Sequence, residues 1–365
     1  MNILMLNYEF PPLGGGASPA SYEIAKRYVR LGHTVDVVTM AFKNLPSFEI
    51  KEGINIYRIR CLRTKKEICY PWEQLSYIVS AKIFLKTFLK NKKYDINHTH
   101  FIIPTGLISL WVKKNYRLNY IITSHGSDVL GYNKRFRFIY PLIKRTWKKI
   151  IREADVVTTP SKFLQEKIKE HTTEGNFVVI PYTIDPTLFT PLSKEKKILI
   201  VARLFVNKGV QDILQAMKEI NMTGWTVDII GDGPYRNFLE KKAKENGLET
   251  VVKFHGWIDN KSEVMKTFYG NAAIFISASY FESMGLTVLE AIASGCYALV
   301  TNVGGHLDML TDEYFFEASN PQSLKEKLIP LMNNWEELKP VTLDDKFNWD
   351  NIILRYEEAL QYGKT

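Results

Sequence analysis

Short apolar runs of strand length alternate with amphipathic stretches along nearly the whole chain. NILMLNYEF (residues 2–10) reads as a buried strand, and PPLGGGASPA then breaks the pattern. Ile24, Ala25, Tyr28 and Val29 mark one face of a helix over Tyr22–Leu31, Gly32 ends it, and TVDVVTM resumes as a strand. A strand, glycine loop, helix and strand in that order predict a parallel α/β sheet. INIYRIR, INHTHF, YIITSHGS, DVVTTPS and FVVIPY continue the series. Prolines gather and the periodicity stops in PYTIDPTLFTP (residues 181–191), which reads as a linker.

The pattern then restarts. KILIVARL is a strand, VQDILQAMKEI a helix and WTVDIIGDG a strand ending in glycines; VVKFHGW, AAIFISAS and YALVTNVGG follow, with a helix from FESMGLTVLEAIASG between the last two. Trp349–Tyr362 reads as a final helix. Two Rossmann-like halves result, residues 1–188 and 189–346, with the helix near 347–365 packing back on the first half and a ligand cleft expected between them.

Composition changes this picture little. With 365 residues and 45% apolar content, the chain can build two cores. MNILMLNYEFPP lacks a basic lead, a long apolar run and a cleavage site, so it does not read as a signal peptide, and no stretch has spanning length. Cys61, Cys69 and Cys296 have neither disulfide-framework nor zinc spacing, which favours a reducing cytoplasm. Charge matters more. The net charge of +9 divides into a balance of +14 over residues 1–190 and −5 over the remainder, which hints at an anionic partner for the first half. No nucleic-acid-binding motif accompanies it.

Candidate chemistry lies where strands meet loops. Glu282 and Glu290 flank the start of a helix with seven residues between them. Eight steps along a helix give roughly 12 Å of rise and about 80° of rotation, so they cannot form a close carboxylate pair. One reading is a surface helix start with two incidental acids. The other sets an acceptor on each side of the free N–H groups near Met284, Gly285 and Leu286, in the order sugar hydroxyls, diphosphate, ribose hydroxyls. Arg203 and Lys208, in VARLFVNKGV, stand where a diphosphate clamp would form beside a helix start, or are two solvated cations on a loop. Gly14–Gly16 permit close backbone approach, though neither GxGxxG nor a P-loop is present. His125, in TSHGSDV, follows a strand and is expected to face the cleft, whereas His98 and His100 read as structural. The chain contains no DxD and no HExxH, so no metal and no cofactor are expected.

Together these motifs resemble the retaining glycosyltransferases of family 4, with the GT-B fold: two Rossmann-like domains facing each other across a deep cleft. The likeness spans nearly the whole chain: the opening strand–GGG–helix, SHGSDV, ADVVTTPSKF, ARLFVNKG, GDGP, KFHGWI, the E-x7-E element from Glu282 to Glu290, and NVGGHLDM. The resemblance implies that Glu282 holds donor-sugar hydroxyls and Glu290 the ribose. Arg203 and Lys208 would bind the diphosphate of a UDP- or GDP-sugar, with the amides of Met284, Gly285 and Leu286 on phosphate or sugar oxygens. Gly15 and Gly16 would approach the diphosphate, Ile258 would read the base edge, and His125 would sit near the transferred sugar. It implies a retaining, metal-independent transfer in which leaving-group stabilisation dominates. Tyr182-Thr183 replaces the family's usual Asn-Gly, Met284 its Phe, and Asp308 its Glu. Arg135–Arg152 carries seven Arg or Lys and no acid, with Ile139, Ile143, Trp147, Ile150 and Ile151 on one face. It reads as a helix packed on its own domain whose basic face is left for an anionic membrane surface or a lipid diphosphate. The expected acceptor is a lipid-linked or polysaccharide precursor, at the inner face of the membrane. A nucleotide-sugar epimerase of the same fold and an inactive nucleotide-sugar-binding subunit are the alternatives.

Overall fold

A computed structural model describes residues 1–131 and 140–363. The chain divides into two compact units, one built from Met1–Tyr182 with Asp350–Thr365, the other from Thr183–Trp349.

The first unit is an eight-stranded sheet: β1 (Asn2–Leu6), β2 (Thr34–Met40), β3 (Phe48–Lys51), β4 (Ile54–Ile59), β5 (Ile96–His100), β6 (Tyr120–Thr123), β7 (Val156–Thr159) and β8 (Phe177–Val179). Their order across the sheet is β3-β4-β2-β1-β5-β6-β7-β8, and only the β3–β4 pair is antiparallel. Both faces are covered, which is why β1 and β2 are buried almost throughout rather than on alternate residues. The strand order reverses between β1 and β5, the place where doubly wound sheets open a crevice at their carboxyl ends.

Helices α1 (Ala17–Arg30), α2 (Pro71–Asn91), α3 (Thr105–Tyr116), α4 (Tyr140–Glu153) and α5 (Lys162–Lys169) join these strands. α1 starts five residues before the expected Tyr22, because Ala17–Ser21 are small residues whose Ser18, Ala20 and Ser21 pack inward. Of the basic stretch, residues 135–139 lie outside the described residues. Its described part, α4, buries Trp147, Ile150 and Ile151 in the core and turns Lys144, Arg145 and Lys149 outward.

The second unit is a six-stranded, all-parallel sheet: β9 (Glu195–Val201), β10 (Thr226–Ile230), β11 (Val252–Gly256), β12 (Ala272–Ser277), β13 (Tyr297–Thr301) and β14 (Phe315–Phe316). Its order, β11-β10-β9-β12-β13-β14, reverses between β9 and β12. Helices α6 (Val210–Met217), α7 (Arg236–Glu245), α8 (Glu263–Asn271), α9 (Leu286–Ala293) and α10 (Pro321–Asn333) cover it; a cluster around Ile198, Ile229, Ile274 and Leu214 fills the side under α6, α7 and α10, and Leu199, Phe275, Val288 and Leu289 are buried as well.

The proline-rich segment expected as a linker is packed: Tyr182, Thr183, Ile184 and Phe189 are buried, and Thr183 Oγ1 donates to the Phe347 carbonyl at 2.5 Å. The last helix, α11 (Trp349–Tyr362), returns to the first unit and buries Ile352, Tyr356 and Leu360. The Tyr356 ring lies 5.7 Å from that of His98 on β5.

Candidate functional site

In the second unit the carboxyl ends of β9 and β12 part at the reversal point. A small pocket opens there, lined by Ala202, Lys208, Ala278, Ser279, Glu282 and Thr287 among others. Lys208 closes a short turn after β9, and the Tyr280 N–H donates to the Asn207 carbonyl at 2.9 Å, tying that turn to the loop after β12. Lys208 Nζ donates to Glu282 Oε2 at 2.6 Å and to Ser279 Oγ at 3.3 Å. Ser279 Oγ in turn donates to Glu282 Oε2 at 3.4 Å, and its carbonyl accepts from Thr301 Oγ1 at 2.6 Å.

Burial alone would raise the Glu282 carboxyl. The Lys208 charge, with smaller contributions from His306 and the hydrogen bonds, instead holds it below the usual carboxylate range. The result is a fixed carboxylate at the amino end of α9, where Gly285 (φ +92°) turns the chain into the helix.

Glycines let the surrounding loops touch backbone to backbone. Gly209, just after Lys208, has φ +67°, and a Cβ there would sit 1.9 Å from the Ala278 carbonyl oxygen. A Cβ on Gly304 would sit 1.9 Å from the Glu282 carbonyl oxygen, so the NVGG loop braces the acidic loop directly. His306 follows it, fully buried: its Nδ1–H donates to the Thr301 carbonyl at 2.9 Å, and Nε2 has no partner among the described residues. Burial lowers its pKa, against the pull of the Glu282 charge.

Arg203 stands apart from the pocket, exposed, with its guanidinium carbon 5.6 Å from the Phe205 ring centre. Met284 is buried, whereas Leu286 and Ile258 are half-buried. Glu290 does not line the pocket. Its Oε2 accepts from Tyr269 at 2.6 Å and its Oε1 from Asn260 at 3.3 Å, and burial pushes its pKa up to about 7. A carboxyl raised in the folded state favours folding fully below its unfolded value near 4.5 and loses that contribution as pH rises through about 7. Stability is therefore expected to fall between about pH 4.5 and 7.5 by about 3 kcal/mol from this group. Glu290→Gln is expected to flatten that fall, as read from urea midpoints at the two ends of the window; an unchanged slope would refute the assignment.

In the first unit Gly14 needs its positive φ (+93°), and a Cβ there would meet Glu9 at 2.7 Å. Gly15 is half-buried; Gly16 is exposed, with open space around its Cα. His125 is part of a hydrogen-bonded chain. Its ring is buried, with Nε2 hydrogen-bonded to His100 Nδ1 at 3.0 Å and Nδ1 to the Tyr182 hydroxyl at 2.5 Å. Burial, with His98 nearby, pushes it down to about 3 and keeps the ring neutral. Asp128 holds the same loop, accepting from the backbone N–H groups of His125, Gly126 and Ile102 at 3.1, 2.9 and 2.7 Å. Sequence patterns missed His306, Tyr269, Asn260 and Tyr182, because each is linked to the candidates only through contacts between separate segments, and Ser279, which sits three residues before Glu282 but carries no pattern of its own.

Residues 14–188 match the model of the family described as Glycosyltransferase Family 4, and residues 189–342 that of Glycosyl transferases group 1. An uncharacterized glycosyltransferase of Methanocaldococcus jannaschii is 26% identical over 96% of each chain. Among solved structures, sucrose-phosphate synthase from Thermosynechococcus elongatus superposes with a TM-score of 0.86, at 19% identity, over 99% of this chain and 98% of that one. Anabaena HepE in complex with UDP and glucose superposes with a TM-score of 0.78, at 17% identity, over 99% of each chain. Two Rossmann-like domains with this topology form the GT-B fold.

Proposed function

This chain belongs to the group 1, family 4 glycosyltransferases, and we propose that it moves a sugar, with retention and without a metal, from a UDP- or GDP-sugar to a lipid-linked or polysaccharide-precursor acceptor. The observation that carries this reading is the Lys208–Glu282 pair beside the amino end of α9, at the reversal point of the second sheet. Glu282, kept ionised, accepts from sugar hydroxyls. Lys208 and the exposed Arg203 supply positive charge to the diphosphate, and the amides of Met284, Gly285 and Leu286 add donors to it. Charge on the departing nucleotide is thereby stabilised where it develops. Glu290, already bonded to Tyr269 and Asn260, adds an acceptor for the ribose, and Ile258 offers its backbone to the base. With its nitrogens held by His100 and Tyr182, His125 is a fixed, neutral ring that the first unit offers on the acceptor side of the reaction. The UDP in the HepE complex supports a uridine donor first. The acceptor sits with the first unit, whose basic balance suits a phosphate-bearing substrate at the inner membrane face.

A thermal-shift series with UDP, GDP, ADP and CDP tests the donor half. A nucleotide at 100 times its Kd is expected to stabilise the protein by about 2.7 kcal/mol. Arg203→Ala should remove most of that shift while leaving the unliganded melting temperature in place, since Arg203 is exposed. No response to any nucleotide from folded protein would overturn the proposed site.

A further inference from the structure

α2 is apolar on both sides. Tyr77, Ala81 and Leu85 pack inward with the capping-box Glu73, yet Trp72, Leu75, Val79 and Ile83 are 57, 61, 53 and 65% exposed. At about 100° per residue these four fall on one outer line roughly 16 Å long. A helix that is apolar all round belongs in an interior, so this outer stripe is a surface built to be covered. Leu62, 61% exposed, is held alongside it by its N–H bond to Ser76 Oγ at 2.9 Å. Tyr70 stacks on Trp72 at 4.6 Å, giving the line an aromatic end.

The other end is cationic: Lys86 and Lys90 continue the same line and are exposed. Beside it, α2, α3 and α4 form a groove floored by Leu107, Leu110 and Trp111, with Lys82, Lys114 and Lys149 at its rim and Glu153 as its one acid. No helix among the described residues is long and apolar enough to cross a membrane.

We propose that the outer face of α2 lies in the surface of an anionic phospholipid bilayer, with Trp72, Leu75, Val79 and Ile83 entering the acyl boundary and the lysines meeting headgroups. Aliphatic and tryptophan side chains in one line, ringed by lysines, are what an interfacial helix requires. Charge decides against a second copy of the chain. A self-complementary contact would bring this lysine-bordered face against a second copy of itself, in a half of the chain whose balance is already +14. The docking face shares the premise of a membrane-borne acceptor but concerns the first unit, whereas the donor pocket is built by the second.

The test is flotation of the full chain with vesicles of phosphatidylcholine alone and of phosphatidylcholine with phosphatidylglycerol. Binding is expected only to the anionic vesicles, weakening as salt is raised. Replacing Leu75, Val79 and Ile83 together by Ser should weaken it at least about tenfold. Lys86→Glu with Lys90→Glu, changes confined to exposed positions, should weaken it by about tenfold. Tryptophan emission should shift to the blue on vesicle addition, and Trp72→Phe should remove that shift. Unchanged binding in both multiple variants, equal binding to neutral vesicles, or a dimer dissolved by the serine substitutions would overturn the proposal. The nucleotide-induced thermal shift should survive in every variant, so failure of docking and failure of the transferase reading remain separable.

Discussion

Lys208→Met is expected to lower stability by about 2–3 kcal/mol and to cut transfer at least about a hundredfold. The two losses have different origins. The Lys208 and Glu282 side chains are only 19% and 17% exposed, so removing the ammonium leaves a mostly buried carboxylate with Ser279 as its remaining side-chain partner. Glu282→Gln in the same chain removes the uncompensated charge. The double variant should therefore regain most of the lost stability and none of the lost activity. Lys208→Met alone should also change the acid limb. Glu282 is held below its ordinary pKa, so in the native protein its contribution is present above the unfolded value and lost as pH falls through the depressed folded one. Without Lys208 that loss should begin at higher pH. Urea midpoints across the acid range, with transfer rates for the four-member cycle, would decide it. A Lys208→Met protein as stable as the native one, or a double variant no more stable than Lys208→Met, would remove the pair from the account.

Gly209→Ala is expected to be among the most damaging single methyl groups that can be added to the second unit, with Gly231→Ala and Gly304→Ala, whose added carbons would also lie 1.9 Å from a backbone carbonyl oxygen. The new Cβ would sit 1.9 Å from the Ala278 carbonyl oxygen, a backbone atom at the end of β12, and φ +67° strains any side chain there. Relief requires the turn holding Lys208 and the loop holding Ser279 to move apart, the separation that the Lys208–Ser279 and Lys208–Glu282 contacts forbid. We expect at least about 3 kcal/mol of destabilisation, near the upper range for point substitutions. Gly247→Ala, with φ +71° but no atom within 4 Å of the added carbon, is the control, since it carries the dihedral strain without the collision. Equal melting temperatures for the two variants would mean that the collision is relieved at little cost.

How far the fold could be read in advance depended on the period of the pattern. The strands declared themselves because both faces of each sheet are covered, making β1, β9, β12 and β13 apolar runs between loops. The start of α1 did not, since Gly16–Ser21 carries glycine, proline and small residues that signal a loop while Ser18 and Ser21 are in fact buried. At the site, Glu282 and Lys208 stood out by position, but their bond joins residues 74 apart in sequence and no local pattern encodes it. The burial of His125 is likewise a property of three segments, for His100 lies on β5 and Tyr182 in the proline-rich stretch. The outer stripe of α2 was hidden for the opposite reason. A helix apolar on every side looks the same in sequence whether its second face meets protein or something else.

α11 has a consequence for how the molecule is made. Because Tyr356, at 0% exposure, packs against the first unit, that unit is interrupted by the whole of the second and lacks part of its core until the final helix has been translated. The second unit is one unbroken run of chain that is complete at Trp349, before the residues its predecessor needs. Synthesis order and completion order are thus reversed: the amino-terminal half begins first and finishes last.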